Sequence, residues 1–201
     1  MNRNPRKRKS KALQTKEKSR YINLTYTITD EPIKDLKNKL PTPVEDQLNN
    51  LFYMITSKPK QAIEQLLVLK ASYPNTAIIY NLLSGAYGRV GDYKAMQALI
   101  MENYQHNPDY LFAKINYAQL CVNLDELDKI PLIFNNQFDL KLLYPKRNVF
   151  HITEFAGFTG VMCAYYCRIG ERDAAQLLFD LLKEVAPESE MVGYAKSFLA
   201  P

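Results

Sequence analysis

The sequence predicts an all-α protein built from successive pairs of short helices. Pro74 and Pro108 stand 34 residues apart, and each closes a segment long enough for two such helices. Self-similarity at this period is typical of helical repeat arrays, in which each unit buries its apolar face against the next. Hydrophobic residues make up 47% of the 201 residues, enough for one continuous core.

The segment that ends at Pro108 shows the repeat most clearly. Bulky, small and aromatic residues recur at helical steps around a glycine turn: Tyr80, Leu83, Ser84, Tyr87, Gly91, Asp92, Tyr93, Met96 and Ile100. A small residue lets two helices approach closely, a turn glycine adopts a left-handed conformation, and a proline stops the second helix. This pattern resembles the tetratricopeptide repeat.

The same register extends to three further segments. The segment ending at Pro187 places Cys163, Tyr166, Gly170, Ala175 and Phe179 at the equivalent sites, and the one ending at Pro74 keeps Tyr53, Ala62 and Leu66. A third segment contains Tyr117, Ala118, Cys121 and Phe134, but Leu142 stands where the proline belongs. The distance from Pro108 to Pro187 exceeds two periods by eleven residues, so an insert is expected near residues 139–152.

The resemblance implies a right-handed superhelix of about four tetratricopeptide-like helix pairs over residues 44–187. A capping helix is expected at 188–201, since the last apolar face of an array would otherwise meet water. Its apolar residues stand at helical spacing: Met191, Tyr194, Ala195, Phe198 and Leu199.

The resemblance also implies that the first helix of each pair lines a concave groove that holds a peptide. Carried onto this chain, the groove positions are Val44, Gln47, Leu51, Met54, Ile78, Asn81, Gly85, Gly88, Phe112, Ile115, Gln119, Val122, Gly157, Gly160, Ala164 and Cys167. Arg89 and Arg168 stand at the ends of two groove helices and could pair with a carboxylate at the rim.

Four of the seven glycines in the chain fall on this predicted face. A glycine inside a helix costs about 1 kcal/mol relative to alanine, so four on one face need a reason. Either they let the backbone of a partner segment or of the protein's own arm approach, or they serve tight packing between helices.

Residues 21–43 are expected to form an extended arm and linker before the array. Tyr21–Thr29 alternates with a period of two and is rich in strand-forming residues, which predicts a single strand. Such a strand could pair with a second copy, add to a partner's sheet, lie in the groove, or pack on its own globule. Ile33–Leu40 could form a short helix.

The first twenty residues account for the net positive charge of the chain. They hold nine Lys or Arg and one acid, a net charge of +8, whereas the other 181 residues hold 17 basic and 20 acidic side chains, −3. With little apolar content this tail is expected to be disordered and to suit a polyanion such as nucleic acid. It could instead bind an anionic membrane surface, serve only to solubilise the chain, or dock onto the acidic globule. The densest basic cluster is Arg3, Arg6, Lys7, Arg8, Lys9 and Lys11.

No catalytic motif occurs in the sequence, so an enzyme is not expected. Three cysteines and two histidines without ligand spacing predict no metal site and no cofactor. No apolar run is clean enough for a transmembrane segment, and a cytoplasmic chain is expected, or a nuclear one if the basic cluster serves as an address.

Two functions therefore remain open. The first is a protein-interaction scaffold or chaperone-like adaptor whose groove holds an extended, partly apolar peptide. The alternative is a ribosome- or nucleic-acid-associated factor that uses the basic tail. The sequence does not indicate the oligomeric state.

Overall fold

The computed structural model describes residues 25–31, 33 and 40–200, and this part of the chain is mostly helical. The predicted basic tail and about half of the predicted arm and linker lie outside the described residues. The described elements are β1 (Thr27–Thr29), α1 (Thr42–Ser57), α2 (Pro59–Ser72), α3 (Ala77–Val90), α4 (Tyr93–His106), α5 (Leu111–Asn123), α6 (Lys129–Ile133), α7 (Leu140–Leu143), β2 (Val149–His151), α8 (Ile152–Arg168), α9 (Arg172–Val185) and α10 (Glu190–Leu199).

Helices that follow one another in the chain pack against each other. α1 packs on α2, α3 on α4, and α8 on α9, while α2 and α4 each also contact the next helix along the chain. The helices α1, α3, α5 and α8 form a second series of contacts, each touching the next. The prediction of an all-α protein with packed neighbouring helices is confirmed.

In two of the helix pairs a glycine turn separates the first helix from the second, as the sequence predicts. Gly91 ends α3 with φ 77°, and Gly170 follows α8 with φ 86°. A residue with a Cβ is strained in this left-handed region, whereas glycine is not. After Gly91, the Asp92 carboxylate accepts a hydrogen bond from the Ala95 N–H at 3.0 Å and caps α4.

Two main apolar clusters form the core. One lies among α1, α2, α3 and α4 and includes Leu48, Leu66 and Leu83. The other centres on α5 and α8 and includes Phe134, Phe150 and Phe155. In α8 every residue from Glu154 to Tyr165 is buried, so this helix is the centre of the C-terminal half.

The first helix departs from the predicted register. Leu48, Leu51 and Ile55 form the buried stripe of α1, whereas Tyr53, expected at a packing site, is 74% exposed. Only Lys58 separates α1 from α2, but Gly91 and Asp92 separate α3 from α4. The connection after α1 is thus one residue shorter than the connection after α3. Because each residue turns a helix by about 100°, this difference of one residue changes which face of α1 meets the core.

The expected insert contains a short helix and a strand. α7 is capped by the Asp139 carboxylate, which accepts from the N–H groups of Lys141 and Leu142 at 2.8 and 3.1 Å. β2 then leads directly into α8. A bidentate ion pair fixes this junction, with Arg147 Nη1 and Nη2 donating to the Glu154 carboxylate at 3.0 and 2.6 Å.

The described part of the arm packs on its own chain. β1 lies parallel to β2, with Ile28 opposite Phe150. The ring of Tyr26 meets that of Phe150 edge-on at 5.0 Å between centroids. Of the expected short helix at Ile33–Leu40, only the two end residues are described.

The C-terminal helix α10 packs on α8 and α9. All five residues expected to cap the array are buried or half-buried there, with Ala195 buried completely. Within residues 25–31, 33 and 40–200, no helix is both long and apolar enough to span a bilayer.

Candidate peptide-binding surface

Helices α3 and α5 present matching rows of residues on one side of the molecule. Ile78, Gly85 and Arg89 lie seven and four residues apart on α3, which places them on one helix face. Phe112, Gln119 and Asn123 repeat these intervals on α5. We call these six residues the α3–α5 surface.

A chain of amide hydrogen bonds holds the two helices in this relation. The Asn81 side-chain oxygen accepts from Asn116 Nδ2 of α5 at 3.2 Å and from Asn103 Nδ2 of α4 at 3.0 Å. Asn103 is only 2% exposed and also donates to the Ala77 carbonyl at 3.3 Å. These bonds engage the Asn81 side-chain oxygen in positioning the helices, and whether its amide N–H groups face a ligand stays a prediction.

The middle of the surface is open at Gly85. A Cβ built at this glycine meets no atom within 4 Å. Ile78 is 38% exposed and Phe112 is half-buried, so apolar area lies along the row. This combination leaves room for another segment to approach the backbone of α3.

The C-terminal helix borders the surface. Tyr194 of α10 donates its hydroxyl proton to Asn123 Oδ1 at 3.1 Å. At the end of α3, Arg89 Nη2 lies 4.0 Å from Glu190 Oε1. Glu190 is 97% exposed and Arg89 55% exposed, so this pair is weak and leaves the guanidinium available.

The predicted groove positions of α8 are covered by the protein itself. A Cβ at Gly160 would lie 2.7 Å from Met191 Cε and 2.9 Å from Met191 Cβ of α10. A Cβ at Gly157 would lie 3.2 Å from Ile115 Cγ2 of α5. These two glycines therefore serve close helix packing, the second of the two roles that the sequence left open.

The remaining predicted site residues are divided between core and surface. Leu51 and Ile115 are 1% and 3% exposed and belong to the core. Gly88 faces Met96 Sδ of α4, at 3.2 Å from a built Cβ. Gln47 and Met54 are half-buried on α1. Arg168 is held by Asp125, with Nη2 to Oδ1 at 2.6 Å, which leaves Arg89 as the less tightly paired of the two rim arginines.

The groove predicted from the sequence does not include three residues that border this surface. Asn123, Glu190 and Tyr194 line its end, although none stands at a predicted groove position. Asn123 could have been predicted, because it lies four residues after Gln119 and therefore on the same face of α5. The other two could not be found without knowing where α10 packs.

A shallow cavity of about 330 Å³ lies elsewhere, beside α2, α3 and α4. Lys70 Nζ donates to both oxygens of Glu102 at 2.8 and 2.9 Å, and the Tyr80 hydroxyl donates to Glu102 Oε1 at 2.9 Å. Burial and the bond to Glu102 raise the pKa of Tyr80 to about 12. These polar groups satisfy one another, and the cluster ties three helices together.

The buried cysteines are packing residues in the described structure. Cys121 and Cys163 are fully buried, and burial raises the pKa of their thiols to about 11 and about 12. Cys163 Sγ donates to the Ala175 carbonyl at 3.2 Å. Both thiols therefore stay protonated near neutral pH, which makes them poor nucleophiles.

The α3–α5 surface combines apolar area at Ile78 and Phe112 with the amide groups of Gln119 and Asn123. Comparisons of this chain with protein-family models, with curated proteins and with solved structures found no match.

Proposed function

We propose that this chain is a protein-interaction scaffold of the tetratricopeptide-like kind, and that its α3–α5 surface holds an extended, partly apolar peptide. The observation that carries the proposal is the open space over Gly85, which lies between the exposed Ile78 and the weakly paired guanidinium of Arg89. A glycine inside a helix is costly, and within the described part of the chain no side chain fills the space that this one leaves.

The order of helix contacts supports the repeat assignment. The helices α1, α3, α5 and α8, the first of the successive units, contact one another in that order. Such stacking is what a right-handed superhelix of helix pairs requires, and it would place α1, α3, α5 and α8 along one inner side. Peptide held there would meet α3 and α5, since α10 and α5 cover the glycines of α8.

The lining predicts the kind of peptide. Ile78 and Phe112 offer apolar contact, Gln119 and Asn123 can bond to backbone groups, and Arg89 can pair with a carboxylate. We therefore expect an extended segment with apolar side chains and one acidic group near the end that lies at Arg89.

A random peptide library displayed on phage tests this proposal. Wild-type chain should enrich apolar peptides with an acidic residue, and Gly85→Leu should weaken their binding at least about tenfold by filling the open space. Gly193→Leu is the matched control, because Gly193 is also an exposed helical glycine with nothing within 4 Å of its Cβ position. Equal binding by both leucine variants would contradict the proposal.

The separation of charge along the chain favours a second candidate, binding of nucleic acid through residues 1–20. If all nine basic side chains neutralise phosphates of single-stranded RNA, the logarithm of the affinity falls with the logarithm of the salt concentration with a slope of about −6 at most. Binding of a homopolymeric RNA should fall steeply with salt and disappear when residues 1–20 are deleted. A shallow slope, or binding that survives the deletion, would contradict this candidate.

A further inference from the structure

The small sheet formed by β1 and β2 has two different edges. Thr27 N–H donates to the Asn148 carbonyl at 2.9 Å, and Thr27 lies opposite Val149. In a parallel ladder, alternate residues turn both backbone groups toward the neighbouring strand. Thr27 and Thr29 therefore face β2, while the N–H and C=O of Ile28 point away from it.

The outer edge of β2 is closed by side chains. Arg147 Nη2 donates to the Val149 carbonyl at 3.3 Å, and His151 N–H donates to Glu154 Oε2 at 2.9 Å. The same arginine and glutamate form the ion pair before α8. No further strand can pair along this edge without breaking these bonds.

The outer edge of β1 is open over the part of the chain that the structure describes. There, no bond to the outward N–H or C=O of Ile28 is recorded. The strand itself is held firmly, because Tyr26 and Ile28 pack against the C-terminal core and His151 Nε2 lies 3.3 Å from the Asp30 carbonyl. A fixed strand with unpaired backbone groups is a template for another strand.

We infer that a second copy of this chain adds its own β1 to this edge, antiparallel and about a two-fold axis at Ile28. In an antiparallel pair, every second pair of opposite residues exchanges both backbone hydrogen bonds. Within the described residues, Ile28 has both groups free to form such a pair with its counterpart. The two sheets would join into one of four strands, which is more stable than a two-stranded sheet. This inference does not depend on the proposed peptide binding.

The sequence around Ile28 is complementary to itself. Residues 25–29 carry no charge. About the proposed axis, Thr27 faces Thr29 of the second copy, and Asp30 faces Tyr26. Threonine pairs across strands are favourable and no like charges meet, whereas an unrelated partner strand would need to match this pattern by chance. Two-fold dimers are also the commonest oligomers.

Proline substitution tests the edge. Ile28→Pro removes the outward N–H of β1, and Val149→Pro removes the outward N–H of β2, so the second variant is the matched control. Sedimentation equilibrium of the full chain from micromolar to near-millimolar concentration should show a monomer–dimer equilibrium in wild type and Val149→Pro. Ile28→Pro should stay monomeric, with circular dichroism confirming that its helices are retained.

A charge exchange tests the register without altering the backbone. Thr27→Lys with Thr29→Lys places like charges opposite each other twice, and Thr27→Lys with Thr29→Glu places opposite charges there. The dissociation constant should differ about tenfold between these two double variants, with the first the weaker dimer. The inference would be overturned if wild type stayed monomeric at every concentration, whether or not an added extended peptide binds to it. Equal dimerisation of the two double variants would do so too.

Discussion

Helices α3 and α8 carry the same predicted feature and use it in opposite ways. Each has two glycines at positions expected to face a groove. On α8 both glycines are buried, against Ile115 of α5 and Met191 of α10, whereas on α3 Gly85 is exposed and has no neighbour within 4 Å of its Cβ position. A glycine in a helix thus indicates close packing only where another helix lies against that glycine.

The surroundings of the two helices explain the contrast. α8 is enclosed by α5, α9 and α10 and is buried along twelve consecutive residues. α3 packs on α1, α2, α4 and α5 but keeps one face open, on which Ile78 and Arg89 are exposed. The C-terminal half is therefore packed around one enclosed helix, whereas α3 keeps an exposed face.

The largest effect is expected where α8 is most enclosed. Phe155 is 1% exposed in the C-terminal core, and Phe155→Ala should lower the free energy of unfolding by about 3–5 kcal/mol because it leaves a cavity. Ile78→Ala on the open face of α3 should cost about 1 kcal/mol or less. Urea denaturation measures both, and equal losses would contradict the proposed difference between the helices.

A smaller loss is expected at the tightest contact of α8. Gly160→Ala places a Cβ 2.9 Å from Met191 Cβ, and rotation of the methionine side chain cannot relieve that contact. Overpacking of this kind should lower the free energy of unfolding by about 1–3 kcal/mol. In a double-mutant cycle, adding Met191→Ala should recover only part of this loss, because the Cβ atom of residue 191 remains. If Gly160→Ala leaves the free energy of unfolding unchanged, α10 shifts freely and the prediction is wrong.

The same substitution on α3 should have the opposite sign. Gly85→Ala meets no atom within 4 Å, so only the gain in helix propensity remains, about 1 kcal/mol of added stability. Thermal and urea denaturation of this variant beside Gly160→Ala give the comparison directly. A destabilised Gly85→Ala would mean that the face is covered.

The smallest effect is expected at the ion pair between Lys70 of α2 and Glu102 of α4. Burial raises the pKa of Glu102, but hydrogen bonds from Lys70 and Tyr80 outweigh this and hold the pKa below its usual 4.5. A carboxyl group with a lowered pKa contributes stability above its unfolded-state pKa and loses it as pH falls through the folded-state value.

Glu102→Gln should therefore destabilise the protein near pH 7 by less than about 1 kcal/mol, because the carboxylate is partly exposed. The difference from wild type should shrink as the pH falls below 4.5. Urea denaturation across that pH range provides the measurement. A difference that grows toward low pH would reverse the sign of the assigned shift.

Local structure could be predicted where single residues decide it. The helix ends at Gly91 and Gly170 follow from the left-handed conformation that glycine tolerates, and α10 follows from apolar residues at helical spacing. The long helix pairs before Pro74, Pro108 and Pro187 follow from the period of the chain.

The candidate surface could be predicted only in part. Ile78, Gly85, Arg89, Phe112 and Gln119 lie on it, but Leu51 is in the core because the single-residue connection at Lys58 turns α1. Ile115, Gly157 and Gly160 are covered by one another or by α10. Each error arises from a loop length or a distant neighbour that helical periodicity does not encode.

The sequence by itself determined the helical period, the glycine turns and the strand character around Ile28, because each depends on the conformational preferences of residues close together in the chain. Only the tertiary structure decided that β1 pairs with β2, more than a hundred residues away, and that α8 is covered while α3 remains open. Those outcomes depend on which surfaces meet when separate elements pack, and packing is a property of the whole chain.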